Sequence, residues 1–194
     1  MAQRLPDSLQ QMMAGLPQDS AYVDRLNVLA SQYLRTNPDV TRYMAEHTLD
    51  VSSRIKYTRG YARALAVMGN AYWYEGTYEF AQNYYLMAAR QYQSIRDSIG
   101  LGQTYNNIGE VYKKLKEYDK ALEYLIKAAE LKKKDASTKA ITLYNIGELY
   151  IQVGNIPEGY KYIENSLRFA RGENNKRVIA FCYWSLGAIK RKEK

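Results

Sequence analysis

His47, Cys182 and the carboxylates Glu110 and Glu148 are the side chains whose types could carry chemistry in this sequence. A general acid or base needs a reacting group within hydrogen-bond reach, and a nucleophile needs a base beside it. His47, the single histidine, has no serine or cysteine nucleophile motif near it, so a surface or packing role is expected of it. Cys182 follows Phe181 in an apolar stretch and reads as a small buried hydrophobe. One cysteine allows neither an internal disulfide framework nor a thiolate cage for a metal. Glu110 and Glu148 recur in equivalent contexts, each following a glycine, which suits a rim or an ion pair rather than paired acid–base work. The regularly placed glycines fall inside helical patterns, so no loop cradles a phosphate. The expectation is no catalytic residue, no metal ligand and no cofactor.

The remaining chemistry is recognition. Asparagine is a poor helix former in an exposed interior, yet Asn70, Asn106, Asn107 and Asn145 all fall in helical stretches. One reading is that their amides donate to and accept from the backbone of an extended peptide. The other is that they bond to neighbouring helices and hold these together. Among the 20 tyrosines, most have packing positions; Tyr74 and Tyr144, with Trp184, are the candidates for touching a ligand.

The elements that must position these groups repeat. Gly69, Gly109, Gly147 and Gly187 form one nearly evenly spaced column. Tyr72, Tyr112 and Tyr150 stand three residues after the first three. Ala81, Ala121 and Gly159 follow at twelve, Tyr84, Tyr124 and Tyr162 at fifteen, and Ala88, Ala128 and Ser166 at nineteen. Leu65, Met68 and Tyr72 share one helical face, as do Tyr105, Ile108 and Tyr112, and Leu143, Ile146 and Tyr150. A mid-helix glycine costs about 1 kcal/mol against alanine, so four in register imply a crossing helix that a side chain would hold away. Between the helices lie Glu75-Gly76-Thr77, Leu115-Lys116-Glu117 and Val153-Gly154-Asn155. Glycine there supplies the positive φ that ends a helix; Thr77, Asp119 and Asn155 can serve near the next helix start, and Pro157 suits a first turn.

Leu65, Met68-Gly69, Tyr72, Ala81, Tyr85 and Ala88 resemble the tetratricopeptide repeat pattern of a large apolar residue, Leu-Gly, Tyr, Ala, an aromatic and Ala. The resemblance implies an all-α fold: a right-handed superhelical stack of antiparallel helix pairs. The period of 38–40 exceeds the family's ~34 and the closing proline is missing. Longer second helices, such as residues 120–133, account for both. This long-period form is similar to kinesin-light-chain-type arrays and to arrays of bacterial sensors and regulators. One array is expected, with a divergent first repeat at 20–58, repeats at 60–98, 100–136 and 138–173, and a terminal helix or truncated repeat at 175–194.

In such a stack the first helices line a concave groove. The stripe facing it carries Arg63, Asn70 and Tyr74, then Asn106, Asn107, Glu110 and Lys114, then Tyr144, Asn145 and Glu148; these ten are the candidate peptide-binding residues. Family members that clamp a C-terminal carboxylate need cations where this chain has Ala66, Ile141 and Asn145, so no such clamp is expected. The resemblance therefore implies a scaffold for a protein or an extended peptide, of the kind found in bacterial signal transduction. The open C-terminal helix offers a route to self-association.

Composition sets the outer limits. Of the 194 residues 46% are apolar and 25% charged, as in folded proteins. No apolar run approaches the ~20 residues of a membrane helix. MAQRLPDSLQQMM lacks the apolar core of a secretory signal. A cytoplasmic site is expected if the chain is complete, an extracytoplasmic one if a signal was replaced by a start Met. The formal charge of +8 invites a nucleic-acid alternative. However, residues 113–134 hold eight lysines interspersed with Glu117, Asp119, Glu123 and Glu130. That spacing is expected of a solvated helix face.

Overall fold

The structure is a computed structural model and describes residues 15–131 and 136–192. Every regular element among them is an α-helix: α1 (Ser20–Tyr33), α2 (Pro38–Arg54), α3 (Thr58–Glu75), α4 (Tyr78–Ser94), α5 (Ser98–Lys114), α6 (Tyr118–Leu131), α7 (Ala136–Gln152), α8 (Ile156–Gly172) and α9 (Lys176–Lys192). Two compact units divide the chain, one ending at Gly100 and the other beginning at Leu101. In the first, Val23, Leu26 and Ala30 of α1 pack with Met44, Ala45 and Val51 of α2 and with Val67 and Met68 of α3. In the second, Ala140 of α7, Ile163, Leu167 and Ala170 of α8, and Val178 and Cys182 of α9 share a core.

Three helix pairs are keyed by a glycine. A Cβ on Gly69 would lie 2.6 Å from the Tyr85 ring, one on Gly109 2.6 Å from Leu125 Cγ, and one on Gly147 2.6 Å from Ile163 Cγ1. Each intruding side chain stands at the same offset from its glycine, on the helix that returns antiparallel. Gly147 is the tightest of the three, because the carbonyl of Gly159 would stand 3.0 Å from the added carbon. Gly187, the fourth of the column, has nothing within 4 Å of its Cβ position. The crossing contact expected there is not made among the described residues.

The tyrosine columns meet one another in the same register. Tyr72 stacks on Tyr84 with ring centroids 5.3 Å apart, and Tyr112 on Tyr124 and Tyr150 on Tyr162 do so at 5.5 Å. Each stack joins the last turn of a first helix to the second helix. Such pairs contribute about 1 kcal/mol beyond the area they bury.

The turns repeat as well. Gly76 and Gly154 adopt φ of 80° and 87°, as the sequence leads one to expect. Lys116, at the equivalent place, adopts φ 62° without being glycine, and Lys56, Arg96 and Asn174 near the ends of their helices are likewise left-handed. In each of three turns the amide just after the left-handed residue reaches back to the tyrosine column: Thr77 N to Tyr72 O at 3.0 Å, Glu117 N to Tyr112 O at 2.9 Å, Asn155 N to Tyr150 O at 2.8 Å. These closures occur with or without glycine, so packing of the pair fixes the turn and the residue adapts. Lys116→Gly is therefore expected to stabilise the second unit by about 0.5–1 kcal/mol, and Gly154→Ala to destabilise it by about 1 kcal/mol. Urea midpoints that move in the same direction for both variants would count against this reading.

Two local expectations change. Asn155 caps α8 through Glu158 N (3.3 Å), but the Thr77 hydroxyl donates backwards to Tyr72 O (3.1 Å) and closes α3 instead of capping α4. The extra length of the repeat is shared: α3 has 18 residues and α4, α5, α7 and α8 have 17 each, so second helices are not the longer ones. The reading of a second helix over 120–133 lies partly outside the described residues.

Candidate functional site

The catalytic candidates are occupied with packing. His47 on α2 meets the Tyr22 hydroxyl of α1 through Nε2 at 2.9 Å, with the rings edge to face. Burial lowers the His47 pKa, with Asp50 opposing and Arg54 reinforcing, and burial raises that of Tyr22. Both shifts favour the neutral pair. Cys182 is fully buried, 3.4 Å from Ser166 Oγ, and burial pushes its thiol pKa up, away from the reactive thiolate. Among the described residues no cluster of His, Cys, Asp and Glu is arranged to hold a metal. Nor is any described helix long and apolar enough to cross a membrane.

The recognition candidates divide between the units. In the first, Arg63, Asn70 and Tyr74 all lie on α3. Asn70 Oδ1 accepts the buried Tyr85 hydroxyl at 2.6 Å, which ties the pair together beside Gly69. Tyr74 is 43% exposed, and its hydroxyl accepts from Arg35 Nε, just past α1, at 3.2 Å. Arg63 is exposed. One residue outside the expected set belongs with them: Asn27 of α1 is fully buried and donates from Nδ2 to Gly60 O of α3 at 3.1 Å. It stands three residues before Ala30, as Asn106 stands three before Gly109, and that register could have revealed it.

The second unit gathers a denser set. Asn106 of α5 and Asn145 of α7 meet directly: Asn145 Nδ2 donates to Asn106 Oδ1 at 3.2 Å, and the Thr142 hydroxyl donates to the same oxygen at 3.1 Å. Asn145 is only 8% exposed. Its amide therefore holds neighbouring first helices together, while Asn106 itself stays half-exposed. On the far side of α7, Glu148 accepts from Ser185 Oγ of α9 at 2.6 Å, and Ser185 lies 3.3 Å from the Tyr144 hydroxyl. The Tyr144 ring also packs on Phe181, with centroids 5.6 Å apart. Burial raises the Tyr144 pKa, so its phenol stays protonated and able to donate. Glu110 pairs with Lys113 at 2.7 Å within α5. Asn107 is half-buried and Lys114 exposed, both on α5.

Residues from α5, α7 and α9 thus form a row of amides, carboxylates and aromatics joined sideways across three first helices. Asn106, Tyr144, Asn145 and Glu148 are brought together in it. Ser185 completes it and escaped the sequence reading, although it occupies the same column as Asn107 and Asn145, two residues before the glycine. Such a row can donate and accept hydrogen bonds and stack against an apolar group; it contains no nucleophile–base pair.

The tetratricopeptide repeat family model matches residues 60–134. No curated protein matches the sequence. The fold is shared with solved structures at low identity. The Rap conjugation gene regulator of plasmid pLS20, solved in complex with the Phr* peptide, superposes with a TM-score of 0.79 at 16% identity over 91% of this chain and 50% of its own. Aspartyl phosphate phosphatase F from Bacillus subtilis gives 0.78 at 12% over 84% and 44%. Kinesin light chain TPR-like repeats from Podosopora anserina give 0.66 at 11% over 88% and 89%. The chain spans about half the length of the Rap regulator. At these identities the likeness is one of fold: antiparallel helix pairs of the tetratricopeptide type, in the long-period form.

Proposed function

We propose that this chain, with tetratricopeptide-type helix pairs in both of its units, is a non-catalytic scaffold that binds a partner protein or an extended peptide on its first helices. The observation that carries this reading is the row on α5, α7 and α9. Asn106 and Asn145 fix each other's orientation, and a preoriented amide loses little freedom when it meets a ligand backbone. Asn107, Glu110 and Lys114 flank the pair on α5, and Glu148 and Tyr144 extend it. In the first unit Arg63 and Tyr74 contribute charge and an aromatic surface. The similarity to a peptide-bound regulator supports a peptide as ligand and a signalling role as context. The basic surface favours nucleic acid less, because Lys113, Lys120 and Lys127 pair with Glu110, Glu117 and Glu123.

Peptides selected from a random displayed library against the wild-type chain test the proposal. Asn107→Ala and Asn106→Ala, each confirmed as folded by its thermal transition, are expected to weaken a selected peptide about tenfold in calorimetric titrations. Glu164→Ala, on an exposed position of α8, leaves binding unchanged. The reverse pattern would remove the first helices from the binding surface.

A further inference from the structure

The excess positive charge gathers at one kind of turn. Residues 52–59, 93–100, 131–138 and 170–177, which lead from one helix pair into the next, hold ten Lys and Arg against three Asp and Glu. Residues 34–41, 74–81, 114–121 and 152–159, which turn within a pair, hold four against six. Both kinds of turn follow a helix C-terminus and precede an N-terminus, so helix dipoles do not produce the contrast.

In the first unit two of the turns between pairs lie side by side. Arg59, in the first turn of α3, pairs with Asp97, between α4 and α5, at 3.0 Å. Arg54 pairs with Asp50 at 3.1 Å, so both carboxylates beside these turns are taken up. Lys56 and Arg96 occupy equivalent places, are exposed, and make no ion pair among the described residues. Both hold left-handed backbone, with φ of 58° and 56°, where glycine would sit without strain. Isoleucines flank them: Ile55 is 37% exposed, Ile95 38% and Ile99 52%.

We infer that this edge of the first unit docks on an anionic lipid surface. Ile55, Ile95 and Ile99 enter the headgroup boundary, and Lys56 and Arg96 meet the acidic headgroups. A fluid interface closes around separate projecting tips. A protein partner needs a continuous complementary face, about 800 Å² on each side in a standard interface. Nucleic acid would neutralise the cations and leave the isoleucines without a partner. The contact is peripheral, made by turns and not by a spanning helix. None of these residues belongs to the amide row of the second unit, so the two readings stand or fall separately.

The full chain is sedimented with phosphatidylcholine vesicles containing about 30% phosphatidylserine, and with phosphatidylcholine vesicles alone. Binding is expected to the anionic vesicles only, and to fall as salt is raised to about 0.5 M. Lys56→Glu with Arg96→Glu is expected to lower partitioning at least about tenfold. Ile95→Ser with Ile99→Ser keeps the charge and is expected to lower it about fivefold. All four positions are exposed, and each variant is first shown to keep the thermal transition of the parent. Lys116→Glu makes the same change at a left-handed lysine within a pair, and leaves partitioning within about twofold. No sedimentation with the anionic vesicles at low salt overturns the inference. So does an equal loss with Lys116→Glu, which would make the effect one of net charge. Vesicle binding indifferent to the serine pair, beside oligonucleotide binding abolished by the glutamate pair, would give the edge to nucleic acid instead.

Discussion

Gly147→Val lowers the stability of the second unit by about 3 kcal/mol, while Gly187→Ala raises it by up to about 1 kcal/mol. The two glycines occupy one column of the repeat and differ only in what crosses them. At Gly147 an added carbon meets Ile163 Cγ1 at 2.6 Å, the Gly159 carbonyl at 3.0 Å and Ile163 N at 3.2 Å. Two of these atoms are backbone, so relief requires α7 and α8 to move apart and disturb the Tyr150–Tyr162 stack. At Gly187 the space is open. Only the intrinsic preference of alanine over glycine for the helix operates there. Urea midpoints measured on both variants separate the effects; equal midpoints would mean that the column has no packing role.

Leu125→Ala costs about 3 kcal/mol, and Gly109→Val about 2 kcal/mol, but together they cost less than their sum by at least about 1 kcal/mol. Leu125 is fully buried and sits where the missing Gly109 side chain would be, with its Cγ at 2.6 Å and its Cδ2 at 2.9 Å from that Cβ position. Shortening it opens the room that valine needs. The backbone obstacle is milder than at Gly147, with the Ala121 carbonyl at 3.2 Å. The double-mutant cycle is the readout, and strict additivity would contradict the contact. The same cycle at Gly147 and Ile163 recovers less, because the Gly159 carbonyl remains in the way.

These contacts explain why the fold was legible in the amino-acid sequence. Helix pairing here is local: a glycine and the side chain over it lie on successive helices, and so do the stacked tyrosines. Each repeat writes the same contact again, so the pattern appears as columns. The turns were half legible. Gly76 and Gly154 announce a left-handed residue, but Lys116 takes the same conformation because the closing bonds and the pair's packing demand it. Thr77 suggested a cap for the following helix, and its hydroxyl went to the preceding one.

The candidate site was legible in membership and not in geometry. The first-helix stripe can be drawn from periodicity, which is why Asn106, Asn145 and Glu148 stand on it. Whether an amide turns to a ligand or to a neighbour depends on contacts 37 to 39 residues away, between first helices of different repeats. Nothing in the local pattern encodes that distance. Asn145 accordingly lies buried against Asn106, and Ser185, an ordinary residue in sequence, joins Glu148 to Tyr144. Gly187 shows the opposite limit: its column predicts a crossing contact, and none is made among the described residues.

The central claim is that the first helices, and not the second, carry the binding surface. Amide chemical shifts of the second unit, recorded as a library-selected peptide is added, test it in one titration. The account predicts that the largest shifts cluster on α5 and α7, around Asn106, Asn107, Glu110, Asn145 and Glu148, while α6 and the outer face of α8 stay still. Shifts centred on the exposed residues of α6 and α8, with α5 and α7 unmoved, would contradict it.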